Sequence, residues 1–153
     1  CGKAAGGGIV PISFVAGRDD VIGTLTPGSE GSTFGGYPLA SVVGIYAIKA
    51  LVEENLADNA LVKGKQLMDG LNVIKNDFPD KIKEVRGKGL LTAFEMFDEP
   101  HLDGHHISVA LLNQGIYAKE THHTTIRLAP ALTINEMQVN NLLDGVRTVV
   151  KEL

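Results

Sequence analysis

The clearest pattern in the chain is the helical spacing of apolar residues in two neighbouring segments. The first begins at Pro38, which suits the first turn of a helix, and it stays apolar on nearly every face as far as Val52. Such a helix is expected to be buried. The second segment begins near Asp58 and should end before Pro79. Its predicted core face consists of Leu61, Gly64, Leu67, Met68, Leu71 and Ile74.

Shorter apolar runs on either side of these helices predict strands. Candidate strands cover residues 9–16, 82–85, 90–96, 116–119 and 125–128. Residues 86–89 read Arg-Gly-Lys-Gly and predict a tight turn. Further helices are expected over residues 103–113 and after Thr133, where Glu136 three residues later would complete a capping box. The pattern predicts an α/β fold with a domain boundary near residue 56.

The segment before the first long helix is unusually rich in glycine, which allows a ligand to come close to the backbone. Lys3 is followed only by small residues, and a desolvated lysine amine in such a place can form a Schiff base. Ser32 and Thr33 lie between glycines just before the helix, where hydroxyl and backbone N–H groups can hold a phosphate. A solvated loop lysine and a flexible helix-capping turn are the alternative interpretations.

Three other sets of polar residues were candidates for chemistry. Arg127 interrupts an apolar strand, and it is either a clamp for a carboxylate, a partner in a structural ion pair or a residue of an edge strand. Two histidine doublets, at residues 105–106 and 122–123, lack the spacing of a metal site and are expected to be exposed loop residues. Cys1 has no arrangement that would make it a nucleophile.

Composition and charge narrow the class of protein. The 153 residues are 44% hydrophobic, and the net charge of −4 argues against nucleic acid or an anionic membrane surface as a partner. No apolar run approaches the ~20 residues of a membrane-spanning helix, and no signal peptide pattern is present. A single cysteine suits a reducing compartment, so a cytoplasmic location is expected. The chain begins without Met, and we expect it to be a fragment.

The order of these motifs is similar to that of the class III aminotransferases, which have fold type I and depend on pyridoxal 5'-phosphate. The similarity covers nearly the whole chain, and residues 118–122, leading into Ile126 and Arg127, are most similar to the ornithine-specific branch of the class. The acetylornithine and 4-aminobutyrate branches are alternatives. The motifs that carry the resemblance are residues 2–4, 7–8, 11–13, 27–29, 31–36, 38–40, 86–90 and 126–130.

This resemblance implies a role for each candidate residue. Lys3 matches the Schiff-base lysine, which also serves as the catalytic base and acid. Ser32 and Thr33 match the loop that reaches the cofactor phosphate of the neighbouring subunit, which implies a homodimer. Arg127 matches the arginine that binds the carboxylate of the amino or oxo acid. The reaction would move an amino group from ornithine or a related ω-amino acid to a 2-oxo acid.

The resemblance also implies which parts of the family are present. Residues 1–56 would be the C-terminal part of the large cofactor-binding domain, and residues 57–153 the small C-terminal α/β domain. The acidic partner of the pyridine nitrogen, the stacking aromatic residue and the main phosphate cup belong to a region upstream. We therefore expect this polypeptide alone to be inactive, to hold the cofactor poorly and to self-associate through its first long helix. A non-catalytic assembly module and a stand-alone anion-binding module are alternative functions. Tyr37 departs from the family, which usually has Asn there.

Overall fold

The computed structural model describes residues 1–100 and 102–153 and has a mixed α/β fold, which confirms the predicted class. The chain forms two compact units, Cys1–Asn55 and Leu56–Leu153. The correspondence of residues 1–56 and 57–153 to a large and a small domain stays a prediction. The elements are a 3-10 helix Lys3–Gly6, α1 Asp19–Ile22, α2 Pro38–Glu53, α3 Leu56–Asp77, β1 Ile82–Lys88, β2 Leu91–Met96, α4 Gly104–Asn113, β3 Lys119–Thr121, β4 Thr125–Leu128 and α5 Glu136–Glu152.

The first unit contains the long helix α2, with Pro38 in its first turn as predicted. The prediction that this helix is buried is wrong for the described chain, since Gly44 is its only buried residue. Tyr46, for example, is 65% exposed. The reason is that the 3-10 helix is the one other named element of the unit that packs against α2.

A strand over residues 9–16 is also absent, although the apolar composition predicted one. A strand needs a partner whose backbone groups continue its ladder of hydrogen bonds. Here Phe14 exchanges backbone hydrogen bonds with Cys1, at N···O distances of 2.8 and 2.9 Å. Within the described part of the chain, that exchange is the only ladder-like pairing of this segment, so it stays irregular.

The second unit is built on an antiparallel four-stranded sheet with the order β1-β2-β4-β3. Helices α3 and α4 pack on the sheet, and α5 packs on both of these helices. Apolar residues that alternate along the strands point to the helices and form the core. Its fully buried members include Phe94, Ile126, Leu128, Leu67, Leu71, Ile107, Leu111, Val139 and Val146.

Four local predictions in this unit are wrong. The strand predicted over residues 116–119 instead begins at Lys119 and ends at Thr121. Strand β1 continues to Lys88, so that residues 86–88 belong to the strand and the turn follows at Gly89, which has a φ of 55°. The cap of α5 is Asn135, whose side chain forms a capping box with Gln138, and not Thr133. Leu61 is exposed, because the buried face of α3 begins at Gly64.

No helix in residues 1–100 or 102–153 combines the length and the apolar character that crossing a lipid bilayer requires.

Candidate active site

Lys3 lies at the start of the 3-10 helix with its backbone in the left-handed region, at a φ of 53°. This conformation is uncommon for a residue with a side chain and costs on the order of 1–3 kcal/mol, and such residues cluster at functional sites. The short helix is capped by Gly7, whose N–H donates to the carbonyl of Ala4 at 3.0 Å. Lys3 and the next residue, Ala4, are both exposed, so the lysine amine is accessible to a ligand.

The glycine-rich loop before α2 folds as two successive turns. The Gly35 N–H donates to the Ser32 carbonyl at 3.0 Å, and the Tyr37 N–H donates to the Phe34 carbonyl at 3.1 Å. Gly36 has a φ of 70°, which residues with a side chain rarely adopt. The turn from the loop into α2 therefore requires a glycine at position 36.

This loop forms one wall of a cavity of about 680 Å³ in the first unit. Ser32 lines the cavity together with the rings of Phe34 and Tyr37, which meet edge to face at a centroid distance of 6.5 Å. Thr33 and Lys3 are not among the lining residues. The structure therefore places one of the predicted phosphate-binding hydroxyls at a cavity, and it does not bring Lys3 to the same place.

Arg127 lies on β4, which is an inner strand between β2 and β3. Its neighbours Ile126 and Leu128 point into the core, whereas Arg127 is exposed on the opposite, open face of the sheet. Within the described residues, its guanidinium has no ion pair and no hydrogen-bond partner. The edge-strand and ion-pair interpretations are therefore not supported, and the guanidinium is free to bind a carboxylate.

A network of ion pairs on the same open face was missed by the sequence reasoning, which placed Arg86 in a turn. Arg86 Nη1 donates to Glu84 Oε2 and to Glu95 Oε2, both at 2.7 Å, and Lys83 Nζ donates to Glu95 Oε1 at 2.6 Å. The hydrogen bond from Lys83 and then that from Arg86 hold the pKa of Glu95 below its usual value. Alternation along residues 91–96, which puts Glu95 on the outward side, was the available signal.

The histidine doublets lie at one corner of the second unit, where the N-terminus of α4 meets the β3–β4 turn. The Gly104 N–H donates to the His123 carbonyl at 2.5 Å. Asp103 caps α4 by accepting from the His106 N–H at 3.0 Å, and it also contacts His106 Nδ1 at 2.8 Å. These contacts, the backbone one first, lower the pKa of Asp103. Across residues 1–100 and 102–153, no three His, Cys, Asp or Glu side chains are grouped closely enough to hold a metal ion.

Comparison with known proteins defines the class of this chain. The family model described as aminotransferase class-III matches residues 1–150. An ornithine aminotransferase of Arabidopsis thaliana, named as mitochondrial, is 40% identical over 152 residues, which are 98% of this chain and 32% of that protein. The chain belongs to the class-III aminotransferases. It spans about a third of the length of this curated relative.

Solved structures agree with this assignment. The ornithine aminotransferase of Plasmodium yoelii has a TM-score of 0.92 at 36% identity, over 99% of this chain and 39% of that one. That of Toxoplasma gondii has a TM-score of 0.91 at 38% identity, over 99% of this chain and 35% of that one. The Toxoplasma structure, crystallised with oxidised glutathione, has partial occupancy of PLP at its active site. Pyridoxal 5'-phosphate is the cofactor of the family.

Proposed function

We propose that the protein to which this chain belongs is an aminotransferase that moves an amino group from ornithine, or a related ω-amino acid, to a 2-oxo acid. The observation that carries the proposal is Arg127, an exposed guanidinium on an inner strand with no partner among the described residues. An unpaired guanidinium can donate two parallel N–H bonds to a carboxylate, the group that amino acids and oxo acids share. The ornithine aminotransferases among its relatives support the choice of amino donor.

The residues present fit the cofactor of the family. Lys3 offers an exposed amine on a strained backbone, with small residues after it to let a ring approach. Ser32 and Thr33 offer hydroxyls in a loop that leads into the N-terminus of α2, where the helix dipole favours a phosphate. When it is bound, pyridoxal 5'-phosphate supplies the electron sink that makes a proton on the substrate carbon acidic.

Each residue of the chain then has a defined task. Lys3 would hold the cofactor through Nζ, and as base and acid the same amine would move the proton between the amine-bearing substrate carbon and the cofactor. Arg127 binds the carboxylate and so orients that carbon. Ser32 and Thr33 donate to the phosphate of the neighbouring subunit's cofactor, so the active assembly is a homodimer.

The remaining two thirds of the Arabidopsis relative would supply the groups that this chain lacks. A hybrid that joins them to this chain tests the proposal. We expect the hybrid to convert ornithine in the presence of 2-oxoglutarate and, after borohydride treatment with the cofactor, to carry a mass adduct on Lys3. Lys3→Ala should remove both signals, and Arg127→Gln should lower kcat/KM by about 100-fold, because positioning by a bidentate clamp is lost. Lys65→Gln, on an exposed face of α3, is the matched control.

The 153-residue chain alone is expected to behave differently from the hybrid. We expect no borohydride-stable adduct on Lys3, since a lysine without the other cofactor-binding groups has little affinity for the ring. A hybrid that folds and binds the cofactor but reacts with neither ornithine nor another ω-amino acid would contradict the proposed function. A cytoplasmic location stays a prediction, and the Arabidopsis relative is named as mitochondrial.

A further inference from the structure

The open face of the sheet carries a row of four residues in register, one from each strand. The row runs Arg86, Ala93, Arg127 and Lys119, because each of these residues is the direct partner of the next across β1, β2, β4 and β3. Directly opposed residues in antiparallel strands point to the same face. Three cations therefore share one row that contains no acid.

The cations of this row differ in how they are neutralised. Arg86 is held by Glu84 and Glu95, each at 2.7 Å. Lys119 Nζ reaches Glu120 Oε1 at 3.2 Å, a loose contact between exposed side chains. Such contacts contribute little to stability. Arg127 forms no ion pair with a described residue, and Glu95, the acid on the same face of the neighbouring strand, is already held by Lys83 and Arg86. The positive charge that is not neutralised therefore lies at the β4–β3 end of the row.

Lys119 and Arg127 are thus a like-charge pair in direct opposition. Side chains so placed have Cβ atoms about 4.5–5.5 Å apart, and like charges there destabilise the sheet. Ala93, on the other side of Arg127, leaves that flank of the guanidinium uncrowded. A pair of cations that costs stability, beside an uncrowded flank, is the arrangement expected where an anion binds between or above them.

We propose that Lys119 is a second carboxylate-binding residue, which holds the same substrate carboxylate as Arg127. The proposal rests on the proposed function in so far as the ligand is an amino or oxo acid. The Arg127 fork takes the two oxygens of the carboxylate, and the Lys119 ammonium adds a point charge and one further donor. A single carboxylate can contact both cations, because Lys119 and Arg127 are direct neighbours across β3 and β4.

A binding experiment without cofactor tests this inference. The 153-residue chain, labelled with ¹⁵N, is titrated with 2-oxobutyrate, a 2-oxo acid with a single carboxylate, and the amide signals of residues 119–128 report the Kd. We expect Lys119→Gln to weaken binding about three- to tenfold and Arg127→Gln to weaken it more. Lys119→Arg should stay within about twofold of the original chain, since the charge is kept. Lys88→Gln, which removes a lysine elsewhere on the open face, is the control and should have no effect.

Three results of this titration would overturn the proposed role of Lys119. Equal losses in Lys119→Gln and Lys88→Gln would overturn the inference, because the effect would then be one of net charge. A loss in Arg127→Gln with none in Lys119→Gln would overturn it while leaving the role of Arg127 intact. Absence of binding by the original chain would overturn it as well. The adduct on Lys3 in the hybrid is measured separately, so failure of the proposed reaction is distinguishable from failure of this site.

Discussion

Gly64 of α3 lies directly against the backbone of Gly89, in the turn between β1 and β2. A Cβ atom added at Gly64 would collide with the Cα, carbonyl carbon and oxygen of Gly89. Backbone atoms cannot rotate away, so the helix would have to move off the sheet. We expect Gly64→Ala to lower the free energy of unfolding by about 1–3 kcal/mol despite the better helix propensity of alanine. Urea denaturation measures the change.

Gly70 provides the comparison for this prediction. The three atoms nearest to a Cβ added there all belong to the side chain of Leu143, which can adopt another rotamer. Gly70→Ala should therefore cost clearly less than Gly64→Ala, because the gain of up to ~1 kcal/mol of alanine over glycine in a helix is common to both and only the steric cost differs. If the two variants are equally destabilised, the close approach of α3 to the hairpin turn is not the cause.

The cap of α5 gives a second prediction. The Asn135 side chain accepts from the Gln138 N–H, and the Gln138 side chain accepts from the Asn135 N–H, each at 2.9 Å. Asn135→Ala should cost about 1 kcal/mol. Thr133→Ala, at the position that the sequence pattern favoured, should change stability by less than about 0.5 kcal/mol. Thermal unfolding of both variants distinguishes the two caps, and a larger loss for Thr133→Ala would contradict the structure.

That cap illustrates what local sequence could and could not predict. The motif Thr133-x-x-Glu136 and the motif Asn135-x-x-Gln138 both satisfy the capping-box pattern, and only the packing of α5 selects the second. Helices α3 and α4 and strand β4 followed from periodicity because their buried faces are complete within the second unit. Residues 9–16 have strand composition, but strand formation depends on a hydrogen-bonding partner that a local pattern cannot reveal.

The candidate site was predictable to a similar degree. Arg127 stood out because a charge interrupts an apolar strand, and its exposure follows from simple alternation along β4. The opposition of Lys119 to Arg127 could not be read from sequence, because it depends on the register of the β3–β4 hairpin. His122 and His123 form that turn at φ values of 49° and 35°, which are uncommon for residues other than glycine. The left-handed backbone at Lys3 gave no sequence signal either.

The pKa of Glu95 leads to a prediction about pH. Hydrogen bonds from Lys83 and Arg86 lower this pKa in the folded state below the ordinary value of 4.5. The ionised carboxylate therefore stabilises the fold above about pH 4.5, and this contribution is lost as the pH falls through the lowered pKa. We expect Glu95→Gln to reduce stability at pH 7 and to weaken the loss of stability between about pH 5 and pH 3, measured by urea denaturation.

Glu152 is the control for the acid titration. It lies exposed in the last turn of α5, and no ion pair joins it to another described residue. Glu152→Gln should leave the pH dependence of the unfolding free energy nearly unchanged. If Glu95→Gln keeps the full acid dependence of the original chain, the ion pairs of Lys83 and Arg86 do not contribute to it.

The exposed apolar face of α2 leads to the last prediction. Val42 and Tyr46 lie one turn apart on this helix and are 50% and 65% exposed, among several other large apolar residues. Because an apolar patch of this kind favours association, we expect the 153-residue chain to self-associate at micromolar concentration. The double substitution Val42→Gln and Tyr46→Gln should shift it toward the monomer in analytical ultracentrifugation. Leu61 and Val62 of α3 are similarly exposed, at 68% and 61%, and they form the matched control. An equal shift when those two become Gln would show that general surface hydrophobicity, and not the α2 face, causes the association.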